Sequence, residues 1–118
     1  MTKPLGPYTP IVKAGPWLVS SGQIGMVDGA LVSGGVEAEV DQALTNLSAL
    51  LASHGSSLAD VTKTTVFLTS MDDYADMNRV YTERFGDHRP ARSAIAVKEL
   101  PAGAAVEIEA WTYVGDGA

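Results

Sequence analysis

The chain has 118 residues, 46% hydrophobic and 19% charged, the make-up of one compact soluble domain, 1–118, and not of a disordered chain. It has no cysteine, which excludes disulfides, thiolate nucleophiles and sulfur-ligated zinc and suits a reducing cytoplasm. The net charge of −6, with eight basic residues scattered along the chain, argues against a nucleic-acid binder, which needs a clustered basic face.

Residues 1–10 hold three prolines and a glycine and read as irregular. Gly6-Pro7 fixes a turn that offers the Tyr8 hydroxyl at its tip, either to a site or simply as an aromatic packed on the body. Ile11-Val12-Lys13 and Trp17-Leu18-Val19-Ser20-Ser21 predict a hairpin turning at Ala14-Gly15-Pro16. Gly22-Gln23-Ile24-Gly25 ends it, with glycines where the backbone bends or is closely approached. Asp28-Gly29 marks a turn, and Leu31-Val32 a stub of strand.

The spacing of Val36, Val40, Ala43, Leu44, Leu47, Leu50 and Leu51 predicts a helix over 36–54. Its acidic residues, Glu37, Glu39 and Asp41, favour the N-terminus, His54 caps the last carbonyls and Gly55 stops it. Val61–Thr69 reads as a strand, apolar on both faces at Val66-Phe67-Leu68, so it should be central and covered on both sides. Ser70-Met71-Asp72-Asp73 fits a capping box opening a second helix to Phe85, with Gly86 as its stop. Tyr74, Met77, Tyr81 and Phe85 mark its buried line. Asn78 lies in the same arc, either satisfied by backbone or pointing into a polar pocket.

Gly86 and Pro90 punctuate the next stretch, which then becomes a strand of period two. Ser93, Ile95 and Val97 share one face and Arg92, Ala94 and Ala96 the other. The two alanines leave room beside a guanidinium, the side chain best shaped to grip a carboxylate with two parallel bonds. The plainer alternative is an edge-strand arginine that discourages aggregation. After a turn at Leu100–Gly103, the last strand, Ala105–Val114, sets Val106, Ile108, Ala110, Thr112 and Val114 on one face. Glu107, Glu109, Trp111 and Tyr113 take the other, and the final residues, 115–118, read as a frayed end.

These elements predict an α+β domain with two helices on one face of its sheet. The apolar sides, Ile95/Val97 and Val106/Ile108, are expected to face the helices. The other face then displays Arg92, Glu107, Glu109, Trp111 and Trp17, a patch that marks contact with another subunit. A homo-oligomer is therefore expected, with a pocket containing Arg92 and a carboxylate at or near its interface. No apolar run approaches the ~18 residues of a membrane span and no signal-peptide core opens the chain, so no membrane contact is expected. No triad, metal-ligand spacing or glycine-rich phosphate loop is present. An anion grip (Arg92), hydroxyls (Tyr8, Ser21), an amide (Asn78) and carboxylates (Glu107, Glu109) remain. Such a set suits binding a small carboxylate and holding a water beside it, which is enough for hydrolysis of an already activated substrate.

Over essentially its whole length the sequence resembles the RidA (YjgF) family of enamine/imine deaminases. The matching stretches are Gly6-Pro7-Tyr8, Ser21-Gly22-Gln23-Ile24, Val61–Leu68, Met71-Asp72-Asp73-Tyr74 with Asn78, Arg89-Pro90-Ala91-Arg92-Ser93 and Val106-Glu107-Ile108-Glu109-Ala110. The resemblance implies a chorismate-mutase-like fold, a mixed β-sheet backed on one face by two α-helices, and a homotrimer with clefts between subunits. It implies hydrolysis of reactive 2-imino acids, such as 2-iminopropanoate and 2-iminobutanoate, to 2-keto acids and ammonia. These imines arise from enamines released by pyridoxal-phosphate enzymes, so the role is metabolite damage control, with no cofactor or metal. It also implies that Arg92 binds the substrate carboxylate, that Glu107 serves the water, and that Tyr8, Ser21 and Asn78 line the cleft. Ala94, where many members carry cysteine, is expected to serve the substrate site through its backbone. Thr9-Pro10-Ile11 and Gly25-Met26 also depart from the family's pattern near the site and bear on substrate preference. Two other readings stay open: a keto- or amino-acid-binding protein without turnover, and a ribonuclease or translation inhibitor, which the acidic charge and the lack of a histidine pair oppose.

Overall fold

Gly15, at φ +59°, turns β1 (Ile11–Ala14) back onto β2 (Trp17–Ser20) as an antiparallel hairpin. The computed structural model that shows this describes residues 4–115, so the expectations for 1–3 and 116–118 lie outside the described residues. Asp28 and Gly29, both at positive φ, turn β3 (Met26–Val27) onto β4 (Ala30–Leu31). The chain continues through α1 (Gly35–Ala52), β5 (Val61–Leu68), α2 (Tyr74–Phe85), β6 (Ala91–Ala96) and β7 (Val106–Tyr113). The main sheet runs β1-β2-β7-β5-β6. It is mixed: β5 and β6, joined through α2, are parallel, and the other pairs are antiparallel.

Both helices cover one face. Val40, Leu44, Leu47 and Leu51 of α1 are buried with Met77, Tyr81 and Phe85 of α2 against Leu18, Val66, Leu68, Val106 and Ile108 of the sheet. Each such side chain contributes roughly 1.5–3 kcal/mol on burial. The helices are tied to each other by Arg84, which donates to the Asp41 carbonyl (2.7 Å), its carboxylate (2.8 Å) and Thr45 Oγ1 (2.9 Å).

Several expectations are corrected. The first helix ends at Ala52; Ser53 Oγ and the amides of residues 53–56 take up its last carbonyls. The His54 imidazole makes no hydrogen bond among the described residues. Ser70 Oγ accepts from the Asp72 amide (3.1 Å) and caps a short 3₁₀ turn, Met71–Asp73, so α2 proper starts at Tyr74. Tyr74 itself is 37% exposed and not part of the buried line. β5 lies between β7 and β6, but only one of its faces is covered: Phe67 is half-buried on the side away from the helices.

The largest correction concerns β6. Thr64 pairs with both Arg92 and Ala110, and Phe67 with both Ile95 and Glu107. Thr64 and Ala110 are buried under the helices, so Arg92 and Ala94 share that covered face. Ile95, 46% exposed, stands on the open face with Glu107 and Glu109. The open face also carries Trp17 packed edge-on against Trp111 and Tyr113, at centroid distances of 6.1 and 5.3 Å.

The loop after β2 is clamped onto α1. Asn46 Nδ2 donates to the carbonyls of Ile24 (3.1 Å) and Met26 (3.0 Å). A Cβ on Gly25 would lie 2.7 Å from Glu39 Cα and 2.9 Å from its carbonyl oxygen, backbone atoms that cannot swing aside. Glu39 is pinned in turn, because its buried carboxylate accepts from the Ala105 amide at 2.7 Å. Gly25→Ala is therefore expected to cost about 1–3 kcal/mol by overpacking. Urea unfolding checks this: the midpoint should fall while the slope stays that of the wild type.

Candidate active site

Arg92 and Glu107 lie on opposite faces of the sheet with β5 between them, and the other residues singled out in the sequence gather in two groups around them. The first group surrounds Glu107. Ser21 Oγ donates to the Thr9 carbonyl (2.7 Å) and the Ser21 amide to the Pro10 carbonyl (2.8 Å), which straps the segment carrying Tyr8 to the end of β2. Tyr8 is 44% exposed, and its hydroxyl accepts from the Leu5 amide at 3.3 Å. Gln23 and Ile108 exchange backbone bonds of 2.7 and 2.9 Å, setting Gly22 against the neighbouring Glu107. A Cβ on Gly22 would fall 2.5 Å from Glu107 Oε2, so glycine there makes room for the carboxylate.

Glu107 and Tyr8 line one cavity with Gly22, Gln23, Ile24 and Leu50. Glu107 is half-buried. Burial raises its pKa above the ordinary carboxylate value, and the charge of Glu109 adds to the effect. A carboxylate in that state holds a proton more readily than one in water, which suits a base that takes a proton from water.

The second group surrounds Arg92. Its guanidinium carbon lies 4.9 Å from the ring centroid of Tyr81 and 5.6 Å from that of Tyr74. Nη2 donates to the Tyr74 hydroxyl at 3.1 Å, and Nη1 approaches Met77 Sδ at 3.8 Å. Tyr81 is buried and shares a 2.7 Å hydrogen bond with Thr64 Oγ1. Burial pushes its phenol pKa up, against the Thr64 bond and the charges of Arg92 and Arg89. Arg92 forms no ion pair among the described residues. Ala94, two residues on, packs against the core beside it. Asn78 falls between Tyr74 and Tyr81 on the arc of α2, and its buried amide oxygen has no hydrogen-bond partner.

The arrangement thus brings Tyr8, Ser21 and Glu107 together, and separately Arg92, Ala94 and the helix arc that carries Asn78. It does not bring Arg92 to Glu107 within one chain. Sequence reasoning missed the aromatic frame of Arg92. Its signal was the spacing of Tyr74, Asn78 and Tyr81 on the crossover helix that leads straight into the strand of Arg92. No group of acids or histidines that could hold a metal ion occurs among the described residues, and no helix there is long and apolar enough to cross a membrane.

The profile of the family described as Endoribonuclease L-PSP matches residues 1–114. A RutC family protein of Pyrococcus horikoshii is 45% identical over 113 residues, 94% of this chain and 90% of that protein. The human 2-iminobutanoate/2-iminopropanoate deaminase is 43% identical over 113 residues, 94% of this chain and 82% of that one. The crystal structure of Escherichia coli TdcF with bound serine superposes with a TM-score of 0.88 at 34% identity, covering 93% of this chain and 90% of that one.

The raised pKa of Glu107 has a stability consequence. Above the ordinary value of 4.5 the folded chain holds more protons at this site than the unfolded chain, so stability falls as pH rises through that window. Glu107→Gln keeps the volume and cannot ionise. It is expected to melt higher than the wild type near neutral pH, with the margin closing as the pH is lowered toward 4.5. Paired thermal melts across that range check it.

Proposed function

This chain belongs to the endoribonuclease L-PSP family, the YjgF/RidA family, and from that premise we propose that it is a homotrimeric hydrolase that deaminates reactive 2-imino acids. The substrates are small imines such as 2-iminopropanoate and 2-iminobutanoate, and the products 2-keto acids and ammonia. The chain works as one domain, in the cytoplasm, without cofactor or metal. The observation that carries the reading is Arg92, a half-buried cation framed by two aromatic rings and left without an acidic partner among the described residues. A guanidinium in that setting is completed by a planar anion.

In this reading the substrate lies in a cleft between copies. Arg92 of one copy clamps the carboxylate, and Glu107 of its neighbour faces the imine carbon. What supports this pairing across copies is that the two residues lie on opposite faces of a single chain. The apolar open face, with Trp17, Trp111, Tyr113 and Ile95, supports the same association. Clamping makes the addition of water effectively unimolecular. Glu107 takes a proton as water adds to the imine carbon, and the bond that forms gives a carbinolamine. That proton passes to nitrogen to give the amine. Glu107 then takes the carbinolamine O–H proton and delivers it to the same nitrogen as C=O forms and the C–N bond breaks, so ammonia leaves and the 2-keto acid remains. Tyr8, Ser21 and Asn78 line the cleft.

A second reading, recognition of an amino or keto acid without turnover, is favoured by the neighbour whose crystal structure holds serine. Kinetics on imines generated in situ separate the two. Glu107→Gln is expected to lose at least about a hundredfold in kcat while still binding pyruvate. Arg92→Lys should fall at least about tenfold in kcat/KM, close to Arg92→Ala, because an ammonium cannot replace the fork. Light scattering should give the mass of a trimer for all of them. A wild-type protein that binds pyruvate but turns over no imine would leave the second reading standing.

A further inference from the structure

We infer that Tyr74 is a third arm of the carboxylate site, donating its phenolic proton to the anion that Arg92 holds. The inference rests on the proposed role of Arg92 and adds a residue that the family resemblance does not assign. Arginine has donors and no acceptor. At 3.1 Å from Arg92 Nη2, the Tyr74 oxygen must therefore accept. A hydroxyl carries a single O–H, so with a lone pair committed to the guanidinium its proton is directed elsewhere. Donation from a cation also polarises the phenol and strengthens its own donation onward. Tyr74 is 37% exposed, so this proton sits where a ligand can reach it. A carboxylate on the fork of Arg92 is the acceptor of matching charge.

Tyr81 is the contrast. Its ring lies nearer the guanidinium, at 4.9 Å, but it is 5% exposed and its hydroxyl is already bonded to Thr64 at 2.7 Å. Tyr81 is a positioning residue beneath the guanidinium, whereas Tyr74 is placed to touch the ligand. With three donors converging on two carboxylate oxygens, the site should discriminate sharply against ligands in which that group is esterified.

Calorimetric titration with pyruvate and with methyl pyruvate tests this on the intact protein. Tyr74→Phe keeps the ring over Arg92 and removes only the hydroxyl. It is expected to weaken pyruvate about tenfold, to leave methyl pyruvate unchanged, and to raise KM for imines with kcat within about twofold of the wild type. The loss should persist when Tyr74→Phe is placed in an Arg92→Lys background, which a role exercised only through the arginine would not produce. The melting temperature should not move, since the group is exposed. If Arg92→Ala abolishes pyruvate binding while Tyr74→Phe binds as the wild type, the third arm is wrong and the arginine clamp stands. Equal weakening of both ligands by Tyr74→Phe also overturns it. If Arg92→Ala itself binds pyruvate as the wild type, both fail together.

Discussion

Thr64 pairs with Arg92 on one side and Ala110 on the other, and this register decides which side of the sheet Arg92 and Glu107 take. Strand side chains alternate, so a slip of one residue in β6 would carry Arg92 to the open face and bring Ile95 under the helices. The register is held from the helix side. Thr64 is fully buried and bonded to Tyr81, whose ring carries the guanidinium. A neutral buried bond of this kind contributes roughly 1 kcal/mol, but leaving either hydroxyl unpaired would cost about 1–3 kcal/mol. The stack therefore specifies the register more strongly than it stabilises the fold. Its Arg92 contacts add about 0.5–1 kcal/mol at the exposed Tyr74 and about 2 kcal/mol at the buried Tyr81.

The same stack explains how a cation survives beside an apolar core. Arginine is weakly hydrated and flat, and it lies against ring faces without losing its whole hydration shell. Met77 fills one end and Tyr74 bonds the other. The neighbouring Ala94 is small enough to leave the fork open. On the opposite face Glu107 is held in the converse state: its charge is penalised by burial and by Glu109. One surface of the sheet thus stores an unmatched cation and the other a reluctant anion, with the sheet keeping them from neutralising each other. In the proposed trimer a ligand between two copies would reconcile them, so that association and chemistry become a single problem.

β7 was legible in the sequence because its alternation is unambiguous: Val106, Ile108 and Ala110 are buried, and Glu107 and Glu109 are not. α1 was legible for the same reason at helical spacing. β6 misled because its more hydrophobic side, Ser93 and Ile95, faces away from the helices, while Arg92 lies under them. Hydrophobic patterning assumes that the covered face is the apolar one. Here two tyrosines of α2 make the covered face hospitable to a guanidinium, and the apolar side of β6 is left on the open face, at Ile95. By spacing Tyr74 fits the stripe of Met77 and Tyr81, but it sits at the exposed first turn of α2. The motifs single out these residues as a set, but only the strand register shows that Arg92 and Glu107 lie on different faces.

That division is tested most directly by mixing two inactive variants. Arg92→Ala lacks the clamp and Glu107→Gln lacks the base, and each trimer alone is expected to be nearly inactive. If every site takes its arginine from one copy and its glutamate from the next, unfolding the two together and refolding them produces trimers with some intact sites. Random assembly from equal amounts should restore about a quarter of wild-type imine hydrolysis. A refolded mixture no more active than the separate variants, although trimeric and exchanged, would mean that Arg92 and Glu107 do not meet across an interface.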